Sequence, residues 1–155
     1  MDKGGIAEYF EDFLTQDSLF LNKRVLQNQF IPSQIFHRDE QLGTVAKILA
    51  PALRNEKPSN LFMYGKTGTG KTLTLRHVLE QMQSLAKDRD IKLKTIYLNC
   101  KFKKVADTEY RILAQLCREF GKEVPPTGLP TDEVYRIFFH ALDSIPGVVI
   151  LALDE

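Results

Sequence analysis

The sequence predicts an α/β fold, in which a parallel sheet is flanked by helices. Short apolar runs alternate along the chain with longer segments whose apolar residues recur at helical spacing. The last run, residues 147–153, is apolar at successive positions, which is typical of a strand covered on both faces in a parallel sheet. With 155 residues, the chain is about one domain long.

Helical spacing occurs before the first apolar run and between successive runs. The predicted apolar faces comprise Ile6, Tyr9, Phe10, Phe13 and Leu14; Leu42, Val45, Ala46, Leu49, Ala52 and Leu53; Leu75, Val78, Leu79, Met82, Leu85 and Ala86; Leu113, Leu116, Cys117 and Phe120; and Val134, Ile137, Phe138, Ala141, Leu142 and Ile145. Pro51 lies inside the second pattern and is expected to kink or split that helix, because proline cannot donate a main-chain hydrogen bond. Asp107 and Thr131 are the predicted N-caps of the last two helices.

Strands are predicted at residues 61–64, 94–100 and 147–153. The first is a short apolar run that ends at a glycine, and the second is rich in β-forming residues. Residues 19–37 show no regular period, and Pro32 favours an extended backbone before it. This stretch is therefore interpreted as a linker.

Composition limits the class of protein. The 21 basic and 20 acidic residues nearly cancel, so any surface that binds nucleic acid must be local. Cys100 and Cys117 form neither a CxxC pair nor a metal-ligand cluster, which favours two reduced thiols in an intracellular protein. No apolar run approaches the ~20 residues of a membrane span, and the acidic start is unlike a secretory signal. These features predict a soluble cytoplasmic protein with no membrane partner.

The stretch LFMYGKTGTGKT joins a predicted strand to a predicted helix. Glycines allow successive main-chain N–H groups to curl around a phosphate, and a helix that starts there directs unpaired donors at the same point. The pattern GxxxxGK[ST] is matched by Gly65, Lys66, Thr67, Gly68, Thr69, Gly70, Lys71 and Thr72. Lys71 is predicted to reach the β- and γ-phosphates and to act in catalysis, and the Thr72 hydroxyl is predicted to bind Mg²⁺. Leu73, which follows, is counted with the nucleotide-binding positions.

The last predicted strand ends in two adjacent carboxylates, Asp154 and Glu155. Downstream of a phosphate loop, an acidic residue at the tip of an apolar strand can hold the Mg²⁺ that bridges the β- and γ-phosphates. Asp154 is assigned this role, and Glu155 is predicted to be the general base that polarises the attacking water. An ordinary acidic turn is the alternative for such a pair considered alone.

Together, GKTGTGKT and VVILALDE resemble the corresponding motifs of the AAA+ ATPases. More narrowly, HRDEQL followed by ILAPALRNEKPSN resembles archaeal ORC-type DNA replication initiators, the origin recognition and cell division control protein family. YLNC and the PPTGLP loop also suit that family, and the resemblance covers residues 19–155. It implies a P-loop NTPase fold of the AAA+ (RecA-like) type, truncated after the Walker B strand.

The function implied by this resemblance is an ATP- and Mg²⁺-binding module of a replication initiator. Such a protein binds origin DNA, helps to load the replicative helicase, assembles with other initiator subunits, and hydrolyses ATP as a switch. The resemblance also implies an adenine pocket lined by Val25, Phe36, His37 and Arg38. Main-chain groups usually read adenine there, so His37 is alternatively a residue of the helix start without a ligand.

The implied domain organisation has two parts. Residues 1–37 form an N-terminal helix and a linker that pack near the nucleotide, and residues 38–155 form the N-terminal part of an AAA+ ATPase domain. A later strand is expected to insert between the first and last predicted strands, and a lid, an arginine finger and a winged-helix DNA reader are expected beyond it. The chain is therefore expected to be a fragment that is marginally stable alone, and that binds nucleotide without efficient hydrolysis.

Two questions stay open at this level. Around the second predicted strand, a cluster of lysines contacts DNA phosphates or forms a solvated sheet end; it comprises Lys92, Lys94, Lys101, Lys103 and Lys104.

Small-molecule kinases and other AAA+ remodelling machines also use a P-loop with Mg²⁺. The adjacent carboxylates favour water over a metabolite as the phosphate acceptor. His77 and His140 lie in predicted helices and are assigned no role.

Overall fold

A computed structural model describes residues 5–15, 22–26, 30–32, 34–101, 109–125 and 127–154. The chain divides into two units, Met1–Pro32 and Ser33–Glu155. In the first unit, helix α1 spans Gly5–Thr15 and a 3₁₀ turn spans Lys23–Leu26. The helix predicted from the apolar spacing at the start of the chain is thereby confirmed.

The second unit carries the remaining elements. They are α2 (Asp39–Leu49), a 3₁₀ turn (Ala50–Arg54), α3 (Lys71–Asp88), β1 (Leu93–Asn99), α4 (Glu109–Glu119), α5 (Thr131–Asp143) and β2 (Val148–Asp154). The predicted effect of Pro51 is confirmed, because the α-helix gives way to the 3₁₀ turn at the residue before it. None of the helices in the described ranges combines the length and the apolar character that a membrane span requires.

The two strands form a parallel sheet, and helices pack on both of its faces. On one face, Ile150 and Ala152 of β2 pack with the buried residues of α2, the 3₁₀ turn and α3. On the other face, Ile96 and Leu98 of β1 pack against α4, and Val149 packs against the same cluster. The predicted α/β fold is confirmed. The sheet is the layer that positions Asp154 beside the start of α3.

The start of β2 requires a glycine. Gly147 has a φ of 89°, and a Cβ atom at this position would overlap the carbonyl oxygen of Lys92. That same carbonyl accepts a hydrogen bond from Val148 N at 3.1 Å, which is the first link between the two strands. The close approach of the two backbones therefore sets the register, in which Asn99 lies opposite Asp154.

The prediction of a strand at residues 61–64 is wrong for this chain. These residues form no ladder with another strand, and a strand needs a hydrogen-bonded neighbour. A cavity of about 1010 Å³ is lined by Leu61 and Met63 and by Val148 to Asp154 of β2. The edge of β2 that faces away from β1 borders this cavity.

Two finer predictions also differ from the structure, and a third falls on residues that the structure does not describe. The apolar run at residues 147–153 predicted a strand covered on both faces. In the structure, the side chains of Leu151 and Leu153 on this strand are 40% and 53% exposed. Thr131 is the first residue of α5 and not its cap, because the chain turns one residue earlier, at Pro130, and no side chain caps the helix. The predicted cap Asp107 lies outside the described residues.

Candidate nucleotide-binding site

The glycine-rich segment forms a tight loop directly before α3. Gly68 and Gly70 have φ values of 79° and 77°, a region that residues with a side chain rarely adopt. The Thr69 hydroxyl donates to the carbonyl of Lys66 at 2.8 Å and so closes the turn from inside. The loop is thus shaped by its own backbone, as the glycine spacing predicted, with Thr67 exposed at its tip.

The N-terminus of α3 offers its donors to a ligand. Gly70 occupies the cap position and has no side chain with which to cap, and the first turn contains no acidic residue. The first internal hydrogen bond of the helix runs from Thr74 N to Gly70 O at 2.9 Å. The N–H groups of the preceding residues, which include Leu73, are the orphan donors that bind anions at helix starts.

Lys71 spans the loop that precedes it. Its Nζ donates to the carbonyl of Gly65 at 2.9 Å and to that of Lys66 at 3.0 Å. The ammonium group therefore lies across the concave side of the loop, which is where the sequence places a phosphate. To bind a phosphate oxygen, it has only to exchange one acceptor for another.

Thr72 and Asp154 meet where α3 starts and β2 ends. Thr72 Oγ1 donates to Asp154 Oδ2 at 2.8 Å, and both side chains are partly buried. The residues are far apart in sequence, and the parallel pairing of β1 and β2 brings the tip of β2 to the phosphate loop. A hydroxyl and a carboxylate from these two elements are the hard oxygen ligands that Mg²⁺ prefers.

This donor set fits a magnesium ion that is shared with a nucleotide. Among the described residues, His, Cys, Asp and Glu form no group of three or more that could hold a metal by protein ligands alone. Magnesium is usually bound by one or two protein ligands together with phosphates and water. Thr72 and Asp154 would thus supply the protein side of the site, and the phosphates would supply the rest.

Tyr97 is a site residue that the sequence analysis missed. Its hydroxyl donates to the same atom, Asp154 Oδ2, at 2.6 Å, and the Arg76 guanidinium lies over its ring, 5.4 Å from the centroid. Burial, reinforced by the hydrogen bond to Asp154, raises the pKa of Tyr97 to about 12. The hydroxyl therefore stays protonated as a donor. The relevant signal is strand register, which the sequence of β1 alone does not contain.

The predicted adenine-pocket residues fall in different places. Atoms Cζ, Nη2 and Nε of Arg38 lie 3.6–3.7 Å from the place that a Cβ on Gly70 would occupy, so this side chain lies beside the phosphate loop. Arg38 also borders a cavity of about 470 Å³ whose wall includes Tyr64, Gly65 and Thr69. Phe36 and His37 are exposed in the turn before α2, and His37 has a φ of 57°. Val25 lies in the first unit.

The structure describes the lysine cluster and the predicted base only in part. Lys94 is engaged within the fold, since its Nζ donates to the carbonyl of Glu119 at 3.0 Å and lies 5.0 Å from the centroid of the Phe120 ring. This contact accounts for Lys94 within the sheet end and leaves both interpretations of the other lysines open. Lys103, Lys104 and the predicted base Glu155 lie outside the described residues.

The sequence and the fold were compared with those of known protein families and known proteins. A family model described as an AAA domain matches residues 54–155, which include the glycine loop, α3 and β2. The chain belongs to the AAA domain family. The predicted AAA+ P-loop fold is confirmed by this match and by structural neighbours among the ORC1 and Cdc6 proteins.

Among individual proteins, the chain is similar to ORC1-type DNA replication proteins. The chain is 46% identical over 146 residues to ORC1-type DNA replication protein 1 of Methanosarcina mazei, covering 94% of this chain and 34% of the relative. It is 42% identical over 159 residues to the ORC1-type DNA replication protein of Thermococcus kodakarensis, covering 100% of this chain and 38% of the relative. The resemblance to ORC-type replication proteins is thus confirmed, and the chain spans about a third of the length of these curated relatives.

Among solved structures, the ORC1 protein of Aeropyrum pernix in complex with DNA has a similar fold. The TM-score is 0.78 at 40% sequence identity, over 84% of this chain and 34% of that one.

Proposed function

We propose that this chain is the ATP-binding module of a DNA replication initiator, in which Mg²⁺-dependent hydrolysis of ATP acts as a switch. The observation that carries the proposal is the hydrogen bond from Thr72 Oγ1 to Asp154 Oδ2. It joins the two predicted magnesium ligands from separate elements, directly beside the phosphate loop. Membership of the AAA domain family and similarity to ORC1-type replication proteins support the same function.

Each residue has a defined task in this proposal. The loop N–H groups and the start of α3 bind the phosphates, and Lys71 neutralises the charge of the β- and γ-phosphates. Arg38 adds positive charge at the Gly70 side of the loop. When bound, Mg²⁺ would neutralise the negative charge that develops on the phosphate oxygens during transfer of the γ-phosphate to water. Glu155 is proposed to orient and deprotonate the attacking water.

Binding and hydrolysis are separable in this scheme. The binding groups are local to the glycine loop, α3 and β2, so we propose that the 155-residue chain binds nucleotide. Efficient hydrolysis further requires groups that stabilise the transition state, such as an arginine finger, and these are worth orders of magnitude in rate. Origin binding and helicase loading are proposed for the whole protein, together with contacts to other initiator subunits.

Isothermal titration calorimetry tests the proposal. ATP and ADP are titrated into the purified 155-residue chain, with Mg²⁺ and with a chelator. We expect both nucleotides to bind and Mg²⁺ to tighten the binding of ATP. Absence of binding under both conditions would reject the proposed function.

Phosphate release from ATP by the whole protein distinguishes a switch ATPase from a small-molecule kinase. We expect the γ-phosphate to be recovered as inorganic phosphate, with or without added metabolites. Transfer of that phosphate to a metabolite would instead favour the kinase.

A further inference from the structure

Asp154 is held by two different elements through a single oxygen atom. Thr72 Oγ1 on α3 and Tyr97 Oη on β1 both donate to Oδ2, at 2.8 Å and 2.6 Å. Among the described residues, no hydrogen bond to Oδ1 is formed. The carboxylate is thus clamped at one oxygen, and its other oxygen is available to a ligand.

The position of Tyr97 in the sheet explains this contact. Its Cα lies opposite that of Ala152, which precedes Asp154 by two residues. Because side chains two residues apart on a strand lie on the same face of the sheet, the Tyr97 side chain and the Asp154 carboxylate share one face. A tyrosine can lean along the strand far enough to reach the next position on that face. Phenylalanine has the same shape at this position but lacks the hydroxyl.

A third contact holds the tyrosine ring itself. Arg76 lies one turn after Thr72 on α3, and its guanidinium stacks over the ring of Tyr97. The first turn of α3 therefore contacts Asp154 through Thr72, and the next turn contacts Tyr97 through Arg76. The arrangement couples the start of α3, the tip of β2 and the middle of β1.

We infer that Tyr97 is a positioning residue for the magnesium site: it fixes the Asp154 carboxylate in the orientation that serves a metal ion. The Thr72 oxygen would bind Mg²⁺ through a lone pair and could still donate its hydrogen to Oδ2, so that hydroxyl would be shared between the metal ion and the carboxylate. Among the described residues, Tyr97 is the donor to Oδ2 that is not itself a predicted metal ligand. This role rests on the proposed function, because it concerns the same metal site.

The test compares two tyrosine variants of the 155-residue chain. Tyr97→Phe removes the hydroxyl beside Asp154, and Tyr110→Phe removes a hydroxyl that donates to the carbonyl of Pro125 at 2.8 Å, away from the site. The affinity for a non-hydrolysable ATP analogue is measured with Mg²⁺ and with a chelator. We expect Tyr97→Phe to lower the Mg²⁺-dependent gain in affinity about tenfold, as for other residues that orient metal ligands. Its affinity without Mg²⁺ is expected to be unchanged.

If the inference is correct, Tyr110→Phe keeps the full Mg²⁺-dependent gain in affinity for the ATP analogue. An equal loss of affinity with and without Mg²⁺ in Tyr97→Phe would show a merely structural tyrosine and would overturn the inference. So would an undiminished Mg²⁺-dependent gain.

A second measurement needs no nucleotide. The chain, which has five tyrosines, is labelled with ¹³C at the tyrosine Cζ, and the resonances are assigned through bonds. We expect Asp154→Asn to shift the Tyr97 resonance and Asp88→Asn, at the far end of α3, to leave it in place. An unmoved Tyr97 resonance in Asp154→Asn overturns the inference. If wild-type chain binds no nucleotide but shows this shift, the proposed function fails and the pairing of Tyr97 with Asp154 stands.

Discussion

The Thr72 hydroxyl donates to the Asp154 carboxylate at 2.8 Å, although most of α3, all of β1, α4 and α5, and the rest of β2 lie between the two residues along the chain. Main-chain pairing of β1 with β2 and packing of α3 on the sheet produce this contact. It joins the phosphate loop to the strand that carries the acidic tip.

Replacing Asp154 by Asn should remove the magnesium dependence of nucleotide binding. The amide keeps the shape of the side chain but loses the negative charge that attracts the cation. We expect the affinity for Mg²⁺-ATP to fall by about tenfold or more, and the affinity measured in chelator to stay the same or rise. Calorimetry with both buffers checks this, with Asp88→Asn as the control for the same change of charge. Equal Mg²⁺ dependence in wild type and Asp154→Asn would contradict Asp154 as a ligand.

Replacing Lys71 by Ala should weaken nucleotide binding with or without Mg²⁺. A hydrogen bond to a charged group contributes about 1.5–3 kcal/mol, so we expect a loss of roughly 10- to 100-fold in affinity. Lys87→Ala, in the last turn of α3, removes the same charge away from the loop and serves as the control. Fluorescence titration with a labelled ATP compares the three proteins, and matching affinities of Lys71→Ala and Lys87→Ala would exclude the proposed role.

Replacing Arg38 by Ala tests which part of the nucleotide this residue meets. The contact of its guanidinium with Gly70 favours the phosphates, so we expect the affinities for ATP and GTP to fall by the same factor. Competition binding with both nucleotides provides the measurement. A loss confined to ATP would place Arg38 at the adenine ring, as the family resemblance implies.

Two glycine-to-alanine changes should have opposite effects on stability. At Gly147, the positive φ and the overlap with the Lys92 carbonyl predict a loss of about 3 kcal/mol in the free energy of unfolding. At Gly43, which lies within α2 with no atom near its would-be Cβ, alanine should add about 0.5–1 kcal/mol. Urea denaturation followed by circular dichroism measures both. A neutral Gly147→Ala would contradict the backbone contact between β1 and the start of β2.

The two cysteines should differ in reactivity. Cys117 is 0% exposed, and burial raises its pKa, whereas Cys100 is half-buried. Because the neutral thiol is favoured in the folded state, its contribution to stability is complete below the ordinary thiol pKa of about 8.5. That contribution is lost as the pH rises through the raised pKa of the folded state. At pH 8, we expect a thiol reagent to modify Cys100 first and Cys117 only with unfolding, as mass spectrometry of timed samples can show.

The sequence predicts the parts of this site that depend on local pattern. The glycine loop and the start of α3 follow from the spacing of GKTGTGKT, and α2 ends before Pro51 because proline lacks a donor. Apolar periodicity also located α3, α4 and α5. In each case, the physical cause lies within a few residues of the feature.

Features that depend on distant partners could not be predicted in the same way. Residues 61–64 have the composition of a strand but not the neighbour, so the ladder is missing. Tyr97 becomes a partner of Asp154 only through the register between β1 and β2. Arg38 contacts Gly70 because α2 packs beside the loop, and no spacing in the sequence reports that packing.

The lysine that spans the glycine loop has a thermodynamic consequence. Since the Lys71 ammonium already holds the carbonyls of Gly65 and Lys66, the loop has a cation at its centre before any ligand arrives. Nucleotide capture then substitutes phosphate oxygens for carbonyl oxygens around a fixed charge, and little chain entropy is lost. We therefore expect a small heat-capacity change and rapid association, in contrast to loops that must first become ordered.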